Sequence, residues 1–364
     1  EVLTNSQIGG RRNIVINGGM QVFQRGTSFT SVANTAYHAD RFELYMQNEA
    51  SQYTVTQDSD TPNGFGNCLK LDVTTADTST ASNEEVKLLY KIEGQDLQQF
   101  KKGTSDTEKM TLSFYVKTNK TGIYCVELFD RDNSREVSAS YTVADANWNR
   151  YTITFPADTS GAFDDDNASS LEIMFWLVAG SAVQGGTLNT AWRSAADGSS
   201  ATGQVNFSDS TDNNWQLTGV QLEVGEQATP FEHRSFGEEL ALCQRYCVAP
   251  SITAFEDSII ITGMTRGSTN KFFTMPLPGT MRSATPSITL TGDVRMLNPE
   301  AHDKNDATDT FAIGGVTPTF RYNGTMLGIY YDGAVTDVTD TSNADYQLQI
   351  VGASDHIFII DSEL

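Results

Sequence analysis

The residues of this chain that could do chemistry are carboxylates and aromatic rings, and their pattern points to binding rather than catalysis. Two acidic runs offer hard oxygen ligands: Asp164, Asp165 and Asp166 followed by Asn167, and Asp130, Arg131, Asp132 and Asn133 with Glu136 downstream. Carboxylate and amide oxygens suit Ca2+, so a structural calcium at Asp164, Asp165 and Asp166 is the one cofactor expectation. Neither run carries the glycine of a metal-binding loop, and a solvated turn is the competing reading. Exposed aromatics are the second route to function. Sugars lay their C–H faces on rings while acids and amides bond their hydroxyls, the use of an apolar body with a polar surround. Tyr37, Tyr45, Tyr53, Trp148 and Trp192 are candidates on this ground, and Tyr37, Tyr45, Trp148 and Trp192 are carried forward as ligand-binding residues. Core packing competes for each. Trp176 and Trp215 sit inside apolar strand text and read as core.

Catalytic constellations are not visible. None of His38, His233, His302 and His356 has a partner at metal or triad spacing, and no Gly-x-Ser-x-Gly or His-Glu-x-x-His is present. A glycosidase needs two carboxylates across a sugar-sized cleft, but with 46 acidic residues any pair could be nominated. There is no glycine-rich phosphate loop. The reading is a protein that is not an enzyme.

Charge narrows the partners. Lys and Arg number 24 against 46 Asp and Glu, a formal net charge of −22 over 364 residues. A field of that sign repels phosphate backbones and anionic bilayer surfaces, which excludes nucleic acid as a partner. No run approaches the ~18 apolar residues of a membrane span; the longest candidate, Ile173 to Ala179, reads as a buried strand. The N-terminal text has neither a basic nor an apolar signal region. Cys68, Cys125, Cys243 and Cys247 form no disulfide framework for a chain of this length, and four reduced thiols fit synthesis in a bacterial cytoplasm.

These residues must be positioned by β-structure. Residues 1–25 read as an arm, with strand-like Ile14-Val15-Ile16 and an Asn-Gly-Gly turn. Between residues 26 and 234 the text alternates in period two at 52–57, 68–73, 86–92, 110–116, 124–129, 150–155, 171–177 and 215–224. Roughly eight strands separated by Gly, Asn, Asp and Ser predict an antiparallel jelly-roll β-sandwich. The stretch 179–213 is rich in Gly, Ser, Ala and Thr; a loop of roughly 35 residues is functional or packed on a neighbour. Ser235 and Glu238 form a capping box opening a connecting helix over 235–249, with Leu240, Cys243 and Cys247 on one stripe as a candidate oligomer interface and Pro250 ending it. Residues 250–364 are β again, a smaller C-terminal β-sandwich domain and candidate distal tip.

Three blocks carry a resemblance. They are Arg12 to Gly26 with Ala39-Asp40-Arg41-Phe42; Trp215 to Glu232; and Glu239 to Tyr246 with Met281 to Pro286 further on. The second block resembles the last strand of CenC-like carbohydrate-binding jelly rolls. Together, in this order, the three resemble a group of phage virion proteins described as tail fibre or structural proteins. The resemblance spans roughly residues 11–295; it implies a homotrimeric appendage that touches host surface polysaccharide, and it supplies no catalytic residues. On that reading Arg12, Asn13, Ile14, Val15 and Ile16 anchor the chain to other tail or baseplate proteins of the virion. Alternatives keep the fold and change its place or its role. They are a head fibre or decoration protein on the capsid, a polysaccharide depolymerase, and a free bacterial carbohydrate-binding module.

Overall fold

The computed structural model describes residues 12–196 and 198–250, and beyond them 258–266, 270–291, 293–297, 310–312, 319–332, 345–351 and 357–364. The chain divides into two compact units, Glu1–Leu240 with Leu364, and Ala241–Glu363.

The first unit is a β-sandwich. Its strands are β1 (Ser28–Thr30), β2 (Ala36–Tyr37), β3 (Phe42–Gln47), β4 (Gln52–Asp58), β5 (Cys68–Thr75), β6 (Glu85–Glu93), β7 (Met110–Thr118), β8 (Gly122–Asp130), β9 (Arg135–Val143), β10 (Asn149–Phe155), β11 (Ser169–Ala179), β12 (Arg193–Ser194) and β13 (Asn214–Val224). Sheet I has the order β1-β4-β5-β13-β7-β10, and sheet II the order β12-β9-β8-β11-β6-β3-β2. Neighbouring strands pair antiparallel, as β13 does with both β5 and β7.

Alternation explains both sheets. In β7, Met110, Leu112, Phe114 and Val116 enter the core while Thr111, Ser113, Tyr115 and Lys117 take the other face. Leu69, Leu71, Trp215 and Leu217 of sheet I meet Leu44, Leu88, Tyr90, Val126, Ile173 and Phe175 of sheet II in one continuous core. Burying each such side chain stabilises the fold by roughly 1.5–3 kcal/mol. The ladder between β13 and β7 slips between Thr218 and Gln221. Gly219 sits in this slip at φ +64°, and a Cβ there would lie 2.8 Å from the rings of Phe65 and Tyr115. Only a residue without a side chain gives both the backbone turn and the room.

The described part of the expected arm does not stand apart. Asn13, Val15, Met20 and Val22 are buried. The Asn13 side chain donates to Val220 O (3.1 Å) and accepts from Leu222 N (3.1 Å), and Ile14 N donates to Leu222 O (3.2 Å). Ile14-Val15-Ile16 is no strand, because the polar groups of this segment are met by β13 and by the side chains of Asn13, Tyr90 and Arg234. Of the particle-anchor set, Asn13 and Val15 are committed to the sandwich, and Arg12, Ile14 and Ile16 are half-buried.

The long stretch after β11 also belongs to the sandwich. Val183, Leu188 and Ala201 pack with Cys125, Trp176 and Ala179 on the outer face of sheet II. Gln204 fastens it, accepting from Cys125 N (2.8 Å) and donating to Leu177 O (3.2 Å).

The capping box forms as expected. Ser235 Oγ accepts from Glu238 N (3.3 Å), and Glu238 Oε2 accepts from Ser235 N (3.1 Å). The helix α1 is shorter than expected, Phe236–Cys243. Cys247 therefore lies off the helix, in β14 (Cys247–Val248), opposite Asp361. Cys243 and Cys247 are buried and Leu240 is half-buried, and with Cys247 off the helix the three do not form one helical stripe.

The second unit holds β14 and β15 (Ser258–Arg266), β16 (Asn270–Pro276), β17 (Ser287–Thr291), β18 (Asp293–Leu297), β19 (Thr310–Ala312), β20 (Thr319–Tyr322), β21 (Met326–Asp332), β22 (Asp345–Val351) and β23 (Ile357–Asp361). They form a small sheet, β14-β23-β17, and a larger one, β19-β18-β22-β15-β16-β21-β20.

Candidate functional site

The outer face of sheet I carries an open polar cleft of about 260 Å3, lined by Asp58, Asp60, Lys70, Lys117, Asn119, Ala146, Asn214 and Gln216. Strand register assembles it. Gln216 of β13 stands opposite Lys70 of β5 on one side and Lys117 of β7 on the other, so three polar side chains form one row across the sheet. Asn119 follows β7 and accepts from Asn214 N (2.9 Å). The β4–β5 connection folds over the row: Asp60 O accepts from Gln216 Nε2 (3.3 Å), and Asn67 O accepts from Thr218 Oγ1 (2.8 Å).

The charges in the cleft are paired. Lys117 binds the Asp60 carboxylate, and its hydrogen bond holds that carboxyl below the usual carboxylate range. Lys70 lies 3.1 Å from Asp72 and 4.0 Å from Asp58. Trp148 stands at the rim, half-exposed, with its indole N–H aimed at Asp60 Oδ1 at 3.4 Å. Paired acids and cations and the amides of Asn119 and Asn214 can bond sugar hydroxyls, with the half-exposed Trp148 ring beside them.

Beside the cleft lies a ring cluster on the same face. Phe65 is 5.3 Å from Tyr115, 5.0 Å from Phe231 and 5.2 Å from His233, centroid to centroid. The Arg150 guanidinium lies 6.0 Å over Tyr115. All three of Phe65, Tyr115 and Phe231 are half-buried, and His233 is exposed.

The outer face of sheet II is filled. Lys87 inserts its ammonium between two rings, 5.1 Å from the Tyr45 centroid and 4.1 Å from that of Trp176, and 2.6 Å from Glu85. The Trp176 indole donates to Glu127 Oε2 (3.1 Å). Lys91 pairs with Glu43 at 2.7 Å. Burial pushes the Glu127 carboxyl up to about 8, with Lys87 opposing the rise. Trp176 is 1% exposed, covered by the segment that carries Val183 and Ala201.

The ligand-binding candidates thus separate. Trp148 lies beside the open cleft, bonded to its lining residue Asp60. Tyr45 is committed to Lys87, and its hydroxyl donates to Gln47 Oε1 (2.6 Å). Tyr37 stands opposite Glu43 in β2–β3, with Arg25 over its ring at 5.6 Å. Trp192 packs against the core, its indole donating to Pro156 O (2.8 Å). Tyr53 is buried, its hydroxyl bonded to Ser51 and Ser208. Asp60, Lys117, Gln216 and the Phe65 cluster escaped sequence reasoning because separate strands and loops bring them together.

Asp164, Asp165 and Asp166 are exposed and serve as turn residues. Asp164 N donates to Asp132 Oδ2 (2.9 Å), and Asp166 Oδ1 accepts from Ala168 N (2.8 Å). Their carboxylates do not converge as a ligand set; among the described residues the one trio that does is Glu49, Asp77 and Glu84. In the second acidic run a side chain supplies the cation. Lys102 Nζ meets Asp130 Oδ2 (2.5 Å), Asp158 Oδ2 (3.0 Å), Ser160 O (2.9 Å) and Gly161 O (2.8 Å). Glu136 is taken by Arg193 at 2.5 Å.

No protein-family model matches this chain, and no curated protein matches it. Solved structures similar to it include the family 11 carbohydrate-binding module of the cellulosomal cellulase Lic26A-Cel5E of Clostridium thermocellum, at 12% identity and TM-score 0.28, covering 56% of this chain and 98% of that one. The CBM22-1 xylan-binding domain of Paenibacillus barcinonensis Xyn10C matches at 12% identity and TM-score 0.27, covering 55% and 94%. The module TmCBM61, solved with β-1,4-galactotriose, matches at 9% identity and TM-score 0.29, covering 59% and 99%.

Proposed function

We propose that this chain is a glycan-binding structural protein of a phage particle, a tail fibre or spike subunit that attaches to host surface polysaccharide through the cleft of sheet I. The observation that carries the glycan reading is the cleft itself: acids and amides gathered around the row of Lys70, Gln216 and Lys117, with the half-exposed indole of Trp148 bonded to Asp60 beside it. Placement on a tail appendage, as a homotrimer, follows from the resemblance of the three sequence blocks. Lys117 occupies the Asp60 carboxylate, and on this reading the cleft serves adhesion.

The test is a saccharide panel against the whole chain and its Trp148→Ala variant. Binding of at least one glycan, weakened at least about tenfold (1.4 kcal/mol) by the substitution, is the expected result. Absence of binding across the panel, or equal binding by the variant, contradicts it. Native mass spectrometry checks the homotrimer, and immunogold labelling of virions distinguishes tail from head.

A further inference from the structure

We infer that the ring cluster of Phe65, Tyr115, Phe231 and His233 is a second subsite for the same ligand, so that the outer face of sheet I binds a glycan chain rather than a single terminal sugar. The inference rests on the reading of the cleft as a glycan site.

Three observations place the two subsites on one track. Tyr115 and Lys117 are two apart on β7 and share its outer face, about 7 Å from each other. The β4–β5 connection borders both, with Asp60 in the cleft and Phe65 at the centre of the cluster. That connection is pinned to β13 at Gln216 and Thr218, so neither Asp60 nor Phe65 is placed by an untethered loop.

The cluster is also built to remain in place. Gly219, at positive φ, leaves the space that Phe65 and Tyr115 occupy. Arg150 is held over Tyr115 by its bonds to Ser113 Oγ (3.1 Å) and Thr229 O. Its guanidinium gives the subsite donors beside an apolar platform, the pairing that a sugar ring with one C–H face and several hydroxyls requires. The rings are half-buried rather than sealed, unlike Trp176 on the opposite sheet.

The ligand class is an uncharged oligosaccharide. The cations nearest the track, Lys117, Lys70 and Arg150, already hold protein oxygens. An acidic sugar would have to displace Asp60 or Asp72 inside a chain of net charge −22.

The experiment uses the full chain and neutral oligosaccharides of increasing length, from disaccharide to hexasaccharide, drawn from the series that binds. Two linked subsites raise affinity with length, here by about tenfold or more between the shortest and longest oligomers. Tyr115→Ala and Phe65→Ala are each expected to abolish that gain while leaving disaccharide affinity within about twofold. Trp148→Ala weakens every length. Tyr115→Phe, which keeps the ring, retains the gain and controls for misfolding. Equal affinity at all lengths, or a length gain untouched by both alanine variants, overturns the second subsite while leaving the cleft intact. A panel in which nothing binds overturns both.

Discussion

The two outer faces of the sandwich are built from the same kinds of residue and differ in who occupies them. Each presents aromatic rings, carboxylates and lysines on strands of an antiparallel sheet. On sheet II the occupant is the protein: Lys87 lies between Tyr45 and Trp176, Glu127 takes the indole N–H, and the segment after β11 covers the result. On sheet I the corresponding groups border an open cleft, and Trp148 beside it is half-exposed. An aromatic residue's chemistry therefore does not decide its role; the difference is whether a neighbouring loop has enough apolar residues to cover it. The segment carrying Val183, Leu188 and Ala201 does, and the short β4–β5 connection covers only part of its face.

The comparison breaks most visibly at the two tryptophans. Trp176→Ala is expected to cost about 3–5 kcal/mol of stability, seen as a lower midpoint in denaturant melts. Trp148→Ala should change stability by no more than about 0.5 kcal/mol, with its effect confined to ligand affinity. Equal destabilisation by the two would erase the distinction between the faces.

The buried layer of sheet II should also be visible in pH. The Glu127 carboxyl is raised from 4.5 to about 8 by burial, so the folded state holds a proton that the unfolded chain releases earlier. Its contribution is complete below 4.5 and is lost as pH rises toward 8, the sign required when the folded state binds more protons. Glu127→Gln should flatten the decline in melting temperature over that window. His38 acts in the opposite direction: burial lowers it from 6.5 to about 4, so its contribution is complete above 6.5 and lost as pH falls toward 4. Melts of Glu127→Gln and of His38→Gln across this range separate the two.

Smaller effects are expected on sheet I. Gly219→Ala forces a side chain into the left-handed region, costing about 1–2 kcal/mol, and presses on Phe65 and Tyr115. Melts read the first effect, and the length dependence of binding reads the second. Lys117→Met removes an ion pair whose members are 28% and 52% exposed, and should change stability by less than about 1 kcal/mol.

Much of the fold was legible as alternation. The text of β7 separates inward from outward residues because large apolar side chains recur at every second position, whereas β11 is apolar throughout and β13 shifts its period at the Gly219 slip. β9 is harder to read, since Ser138, Ala139 and Ser140 blur its period between Val137 and Tyr141. Ile14-Val15-Ile16 has strand composition, yet Asn13 and β13 meet its polar groups, a tertiary choice invisible locally. Of the candidate site, Trp148 could be nominated from its type alone. Asp60, Lys70, Lys117 and Gln216 could not, because only the register of β5, β13 and β7 makes them neighbours. The contact of Tyr45 with Lys87 was hidden for the same reason: Lys87 is distant in sequence and arrives by the pairing of β3 with β6.

The most direct test is amide hydrogen exchange on the whole chain with and without a bound neutral oligosaccharide. Added protection is expected to be confined to the β4–β5 connection, the end of β7 around Tyr115 to Asn119, and the segment at Ala146 to Asn149. Protection centred instead on β3, β6 and β11, around Tyr45, Lys87 and Trp176, would mean that the filled face opens to receive the ligand and would contradict a site on sheet I.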